Sequence, residues 1–127
     1  MSASRTFLLL GALGGFFTVA FGAFAAHGLK AILSPGLLQT FHTGVDYQGL
    51  HSLALLGVGL LLRTQESAAL RLAGWAFASG ILVFSGSLYL LALTDARWLG
   101  AITPFGGAAF LLGWQPSPGV SHAQDDP

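Results

Sequence analysis

The sequence predicts an all-α integral membrane protein, built as a bundle of four transmembrane helices. Of its 127 residues, 54% are hydrophobic and only 8% are charged, whereas soluble domains contain about 25% charged residues. Four apolar runs also approach the roughly 20 helical residues needed to cross a hydrocarbon core of about 30 Å. We therefore expect a four-helix transmembrane domain at residues 1–115, followed by a disordered, proline-rich tail at residues 116–127.

The composition also excludes several classes of function. Five basic and five acidic residues give a formal net charge of zero, so the chain lacks the positive surface that nucleic-acid binding requires. It has no cysteine, which rules out disulfides, thiolate metal sites and cysteine nucleophiles. We expect the lipid bilayer to be its main partner, and no nucleic acid.

The first span is predicted at about residues 6–28, because residues 6–26 contain no charged side chain. Ala23-Phe24-Ala25 after this run also resembles the cleavage site of a secretory signal peptide. A signal peptide has a shorter apolar region of about 7 to 15 residues, so we favour a retained helix. Cleavage would leave a protein with three spans.

The second span is predicted at residues 44–62, with Asp46 in its first turn near the lipid headgroups. The third span is expected at residues 72–94 and the fourth at residues 98–115. Trp98 and Trp114 would lie about 24 Å apart along a continuous helix, close to the spacing of two interfacial aromatic belts. Pro104 would fall inside this helix and kink it.

Short connections favour a compact bundle. Ser34-Pro35-Gly36 predicts a helix-stopping turn, and Asp95-Ala96-Arg97 predicts a tight hairpin between antiparallel helices. With the N-terminus inside, three arginines lie on the cytoplasmic side against Lys30 and Arg97 outside. This difference favours cytoplasmic N- and C-termini by the positive-inside rule.

The second span carries polar side chains on one face. Tyr47, Gln48 and His51 fall close to one line at 100° per residue, and His51 lies near the predicted midplane, where ionisable side chains are rare. We predict an intramembrane polar centre made of Tyr47, Gln48, His51, Ser85, Ser87, Thr103 and Pro104. Its histidine could relay a proton or contact a ligand; the structural alternative is an interhelical hydrogen bond to Ser85, Ser87 or Thr103.

Other polar residues are expected at the membrane boundaries. His27, Lys30, Trp98 and Trp114 are predicted to be interfacial. No spacing of histidines and carboxylates fits a metal site, and Ser52 and Asp46 lie on other faces of the helix from His51. We therefore expect no metal, no cofactor and no enzymatic activity.

Several ordered motifs resemble one known family. They are Gly22-Ala23-Phe24-Ala25-Ala26-His27-Gly28-Leu29, Tyr47-Gln48 with His51, Phe84-Ser85-Gly86-Ser87-Leu88-Tyr89, and Thr103-Pro104 with Gly106-Gly107. The chain resembles the small four-helix membrane proteins known as domain of unknown function 423, the YgdD/YwdK-like proteins. One departure is Ala25, where the family usually has glycine. The resemblance implies a multi-pass protein of the bacterial inner membrane whose molecular activity is unassigned.

Two functions remain open from the sequence. The first is a structural or accessory membrane protein, forming a homo-oligomer or binding a larger membrane assembly, in which the polar centre joins the helices. The alternative is a small transporter or channel component with a polar path lined by Tyr47, Gln48, His51 and Pro104.

Overall fold

A computed structural model describes residues 1–116, which are helical with short connections and contain no strand. Its α-helices are α1 Ala3–His27, α2 Pro35–Thr64, α3 Ala68–Gly80, α4 Gly86–Thr94 and α5 Thr103–Gly113. Three continuous helical segments are long and apolar enough to cross a membrane: Ala3–Ala31, Pro35–Thr64 and Ala68–Thr94. The predicted all-α class is confirmed. The predicted tail lies outside the described residues from position 117 onward.

Helix α1 matches the predicted first span. The hydroxyl of Ser2 accepts a hydrogen bond from the backbone N–H of Arg5 and caps the first turn. At the other end the backbone N–H of Gly28 bonds to the carbonyl of Phe24, and the 3₁₀ turn Leu29–Ala31 follows.

Helix α2 begins earlier than predicted. The turn at Ser34-Pro35 starts this helix instead of stopping the first one, because the Ser34 hydroxyl accepts from the Leu37 N–H and Pro35 occupies the first turn. Proline suits that position, where its missing N–H would have no helical partner. Asp46 consequently lies about three turns inside α2 and is exposed on its outer face, not in the first turn as predicted.

Helices α3 and α4 form one continuous rod that contains a π-helical segment. The Ser67 hydroxyl caps α3 by accepting from the Leu70 N–H, and Ile81–Ser85 has π-helical hydrogen bonding before α4 continues at Gly86. The single helix predicted for this region is therefore confirmed. The π-helical segment widens it locally, which the periodicity of hydrophobic residues does not predict. Such segments occur frequently at functional sites.

The predicted hairpin after α4 is confirmed. Asp95 ends the helix in the left-handed conformation, with φ of 55°, and the chain returns antiparallel to the rod. The register follows from four facing pairs at regular intervals: Thr103 with Ser87, Gly106 with Phe84, Gly80 with Phe110 and Gly113 with Phe77.

The predicted fourth span is divided in two. A 3₁₀ segment at Arg97–Ala101 precedes α5, and Pro104 lies in the first turn of α5 instead of kinking a longer helix. A single α-helix through Pro104 is unfavourable, because a proline in mid-helix would remove a backbone hydrogen bond and clash with the preceding turn. The new helix therefore begins just before Pro104. The two pieces together extend about 27 Å, a little less than the hydrocarbon thickness.

The core is divided into two apolar clusters along the bundle. One is centred on Phe7, Leu55 and Phe77, and the other on Ala25, Phe41 and Ala92. Helix α1 packs almost entirely against α2, where glycines allow close approach. The large apolar side chains on the outside of the bundle form a surface suited to lipid.

Candidate functional site

Gln48 joins three helices through its side-chain amide. Its Nε2 group in α2 donates to the carbonyl of Gly14 in α1 at 2.9 Å, and its Oε1 atom accepts from the hydroxyl of Tyr89 in α4 at 2.7 Å. Only 5% of Gln48 is exposed. Both ends of the amide are thus satisfied inside the bundle, which is the condition for keeping such a group in an apolar interior.

The position of Tyr89 is set by aromatic packing and by one glycine. Its ring centroid lies 4.8 Å from that of Phe41 and 5.3 Å from that of Phe21. Gly44 leaves space for this ring, since a Cβ atom there would lie 2.7 Å from it. The hydroxyl of Ser85 donates to the carbonyl of Gly44 at 2.7 Å, so α2 is bonded to the π-helical segment at the same level.

Ser87 and Thr103 form a second link, between α4 and α5. Their hydroxyl oxygens lie 2.6 Å apart. The Ser87 hydroxyl oxygen lies 2.9 Å from the carbonyl oxygen of Phe84, and the Thr103 hydroxyl oxygen lies 3.3 Å from that of Leu99. Because each hydroxyl has one proton, one of the two donates to the other and the second donates to its own carbonyl. This link holds the start of α5, where Pro104 has no N–H to donate.

His51 is buried and has a partner at each ring nitrogen. Nδ1 lies 2.7 Å from the carbonyl oxygen of Tyr47, and Nε2 accepts from the indole N–H of Trp114 at 3.0 Å. A carbonyl only accepts and an indole N–H only donates. His51 is therefore a neutral imidazole with its proton on Nδ1.

The predicted partners of His51 were wrong. Ser85, Ser87 and Thr103 bond elsewhere, and Trp114 takes their place. Sequence reasoning assigned Trp114 to the membrane interface from its position at the end of an apolar run, and it missed this contact. The register explains the contact: α5 ends opposite Phe77, about 9 Å before the level of Arg71. The indole N–H of Trp114 therefore reaches His51 from the surface of the bundle, and the residue remains 54% exposed.

Aromatic rings surround the imidazole. The centroids of His51 and Phe110 are 3.6 Å apart with an interplanar angle of 9°. Phe77 and Trp114 cover other sides at 5.6 and 5.9 Å. This packing fixes the ring orientation and excludes water from it, because the residue is only 2% exposed.

Tyr47 and Pro104 lie outside the hydrogen-bonded centre. They line an outward-facing groove of about 520 Å³ together with Leu50, His51, Phe84, Gly107, Ala108, Phe110, Leu111 and Trp114. Tyr47 is 43% exposed, and its ring packs on Phe84 at 4.6 Å. The structure thus brings Gln48, His51, Ser85, Ser87 and Thr103 into interhelical hydrogen bonds and leaves Tyr47 and Pro104 at the surface.

The remaining candidate residues lie at the end of the bundle that contains the Asp95 hairpin. His27, Lys30 and Trp98 are exposed there, where α1 ends and the 3₁₀ segment before α5 begins. Residues 1–116 contain no group of three histidine, aspartate or glutamate side chains that could hold a metal ion. In the same residues, His51 has no carboxylate or hydroxyl partner, so its surroundings offer hydrogen bonding without an activated nucleophile.

Comparison with known proteins gives the family. The model described as "Protein of unknown function (DUF423)" matches residues 21–107, well over half of the chain. The chain belongs to this family. The resemblance expected from the sequence is therefore confirmed. The match extends from the end of α1 to the start of α5 of this DUF423 protein.

Relatives of this DUF423 protein are named as membrane proteins. A UPF0382 membrane protein of Haemophilus influenzae is 50% identical over 85% of this chain and 86% of its own length. YwdK of Bacillus subtilis, also a UPF0382 membrane protein, is 43% identical over 87% and 90%. The UPF0382 inner membrane protein YgdD of Escherichia coli is 40% identical over 87% and 85%. No solved structure matches the chain. It is a multi-pass membrane protein whose family has no assigned molecular activity.

Proposed function

We propose that this DUF423 protein is a structural or accessory component of a membrane assembly and not an enzyme. One observation carries the proposal: Gln48 uses both ends of its amide to join three helices, α1, α2 and α4. A residue used in this way stabilises the arrangement of the helices. Its Nε2 and Oε1 atoms each have a partner inside the bundle, and only 5% of the residue is exposed.

The bacterial inner membrane is the location we propose. The name of the E. coli relative states an inner membrane. Arg5, Arg63 and Arg71 lie at one end of the bundle and Lys30 and Arg97 at the other, which supports cytoplasmic N- and C-termini through the positive-inside rule.

A homo-oligomer or a membrane-protein partner is the second part of the proposal. In the most apolar 18-residue stretch of the first helical segment, Ala3–Ala31, only 11% is buried inside the protein. The corresponding share is 39% for α2 and 33% for the α3–α4 rod. A chain with little mass outside the bilayer has this helix face as its main surface for contact with another protein.

Transport has less support in the geometry. A polar path would need side chains that are free to bind a solute along the way. Gln48 and His51 are instead bonded on both sides, while Tyr47 and Pro104 face an apolar groove on the outside.

Native mass spectrometry of the protein extracted with its lipid tests the proposal. We expect a homo-oligomer, or a complex with another membrane protein, without a bound small molecule. The His51→Ala variant should show the same composition as the matched control His42→Ala. A defined non-lipid mass that is present in the wild type and in His42→Ala but absent in His51→Ala would contradict the structural role.

A further inference from the structure

A second cavity lies at the opposite end of the molecule from the Asp95 hairpin, between the start of α1 and the end of α2. Its volume is about 530 Å³, and its lining residues are Ser2, Ser4, Arg5, Leu8, Leu62 and Arg63. Two arginines from different helices therefore line one space, together with two serines and two leucines.

The two arginines differ from the other two in the described part of the chain. Arg71 forms an ion pair with Glu66, and Arg97 lies 3.4 Å from Asp95. Within residues 1–116, Arg5 and Arg63 are in no ion pair, and both are exposed. Their positive charge is available to an anion from outside the protein.

The cavity is held in place by contacts between its walls. The hydroxyl of Ser4 donates to the carbonyl of Gly59 at 2.8 Å, which fixes the first turn of α1 against the last turns of α2. Gly59 permits this approach, because a Cβ atom there would lie 2.8 Å from the side chain of Leu8. These contacts fix the distance between the start of α1, which carries Arg5, and the end of α2, which carries Arg63.

The chemistry of this cavity matches the phosphate group of a lipid. A guanidinium presents paired N–H donors that fit phosphate oxygens, and the positive end of the α1 helix dipole adds to their field. Leu8 and Leu62 continue the wall toward the hydrocarbon, where an acyl chain would lie.

The depth of the cavity also suits a lipid headgroup. From Arg5 to His27, α1 is about 33 Å long, close to one hydrocarbon thickness. Arg5 and Arg63 therefore lie at the boundary, on the side where the proposed orientation places the cytoplasmic leaflet. Anionic lipids attract basic residues at that surface. We propose that this cavity binds the phosphate group of an anionic phospholipid, held by Arg5 and Arg63.

Lipid titration tests the site. The delipidated protein is mixed in detergent with phosphatidylglycerol or phosphatidylcholine, and the retained lipid is counted by native mass spectrometry. The wild type should retain phosphatidylglycerol preferentially. Arg5→Gln or Arg63→Gln should each weaken its binding about fivefold, and the double variant more, since one basic residue near an anionic surface contributes about 1 kcal/mol, which corresponds to a factor of about five in the binding constant.

Two controls distinguish the site from general attraction to positive charge. Arg71→Gln removes an arginine at the same end that is already paired with Glu66, and Lys30→Gln removes a cation at the other end; both should bind as the wild type does. Equal retention of the two lipids by the wild type, or an equal loss of binding in Arg71→Gln, would overturn the proposal. Displacement of the lipid by inorganic phosphate at matching concentration would also overturn it, because the ligand would then be free phosphate.

Discussion

His51 is held in one neutral tautomer by its two hydrogen-bond partners. The carbonyl of Tyr47 requires a proton on Nδ1, and the indole of Trp114 requires a bare Nε2. A second proton on the ring would face the indole N–H. While Trp114 keeps this position, His51 has no free nitrogen with which to relay a proton.

Nitrogen NMR of labelled histidine tests this assignment. We expect a protonated Nδ1 and an unprotonated Nε2 for His51 in the folded protein at neutral pH. Trp114→Phe keeps an aromatic ring but removes the donor to Nε2, so the Nε2 signal should shift; Trp98→Phe, at an exposed position, should leave it unchanged. A wild-type His51 with its proton on Nε2 would contradict the assignment.

Two buried serines give a matched test of hydrogen bonding. Ser85 donates to the carbonyl of Gly44, whereas the hydroxyl of Ser52 is buried without a partner in residues 1–116. Ser85→Ala should lower the free energy of unfolding by about 0.6 to 1 kcal/mol. Ser52→Ala should leave it unchanged or raise it, because it removes an unsatisfied polar group. Chemical unfolding in mild detergent measures both, and a larger loss for Ser52→Ala would show that its hydroxyl has a partner.

At the scale of helices, sequence patterns predicted the elements better than their ends. The uncharged run of α1 and the Asp95 hairpin follow directly from composition and turn chemistry, and both are observed. The start of α2 was misplaced, because Ser34-Pro35 favours a helix start as well as a stop. The π-helical segment at Ile81–Ser85 packs against α5, and a hydropathy pattern contains neither that contact nor the change in hydrogen bonding.

Adjacent glycines in α5 have opposite surroundings. A Cβ atom on Gly106 would collide with the backbone of Phe84, whereas one on Gly107 would lie 3.9 Å or more from its neighbours. Gly106→Ala should therefore force α5 away from the rod and cost about 1 to 3 kcal/mol of unfolding free energy.

Gly107→Ala is the matched control for that variant. It should be neutral or slightly stabilising, because alanine has the higher helix propensity. Unfolding curves of the two variants in the same detergent give the comparison. Equal stabilities would mean that α5 does not approach the π-helical segment as closely as described.

At the scale of the whole molecule, the sequence predicted the family, the all-α class and five of the seven candidate residues that bond between helices, whereas Tyr47 and Pro104 lie at the surface. Most of these residues do bond between helices, because hydroxyls and amides in an apolar interior must find partners. The sequence did not predict which residues form each hydrogen-bonded pair. Trp114 meets His51 only because α5 is short and ends opposite Phe77, a consequence of the register between distant segments.

Single cysteines test the arrangement across the membrane, since the chain has none of its own. Thr64 ends α2 and Thr94 ends α4, at opposite ends of the bundle and both exposed. With cytoplasmic termini, an impermeant maleimide should label Thr94→Cys in intact cells and label Thr64→Cys only after lysis. The reverse pattern would invert the orientation, and labelling of both in intact cells would contradict the number of crossings between them.

The central claim is that the polar centre stabilises the bundle by joining its helices. A double-mutant cycle of Gln48→Leu and Tyr89→Phe, followed through the free energy of unfolding in detergent, tests this most directly. We predict a coupling energy of about 0.6 to 1.7 kcal/mol, the range of hydrogen bonds between membrane helices, with no coupling between Tyr89→Phe and the exposed control Gln39→Leu. Single variants that leave stability unchanged, with zero coupling, would contradict the claim and leave Gln48 and Tyr89 available for another role.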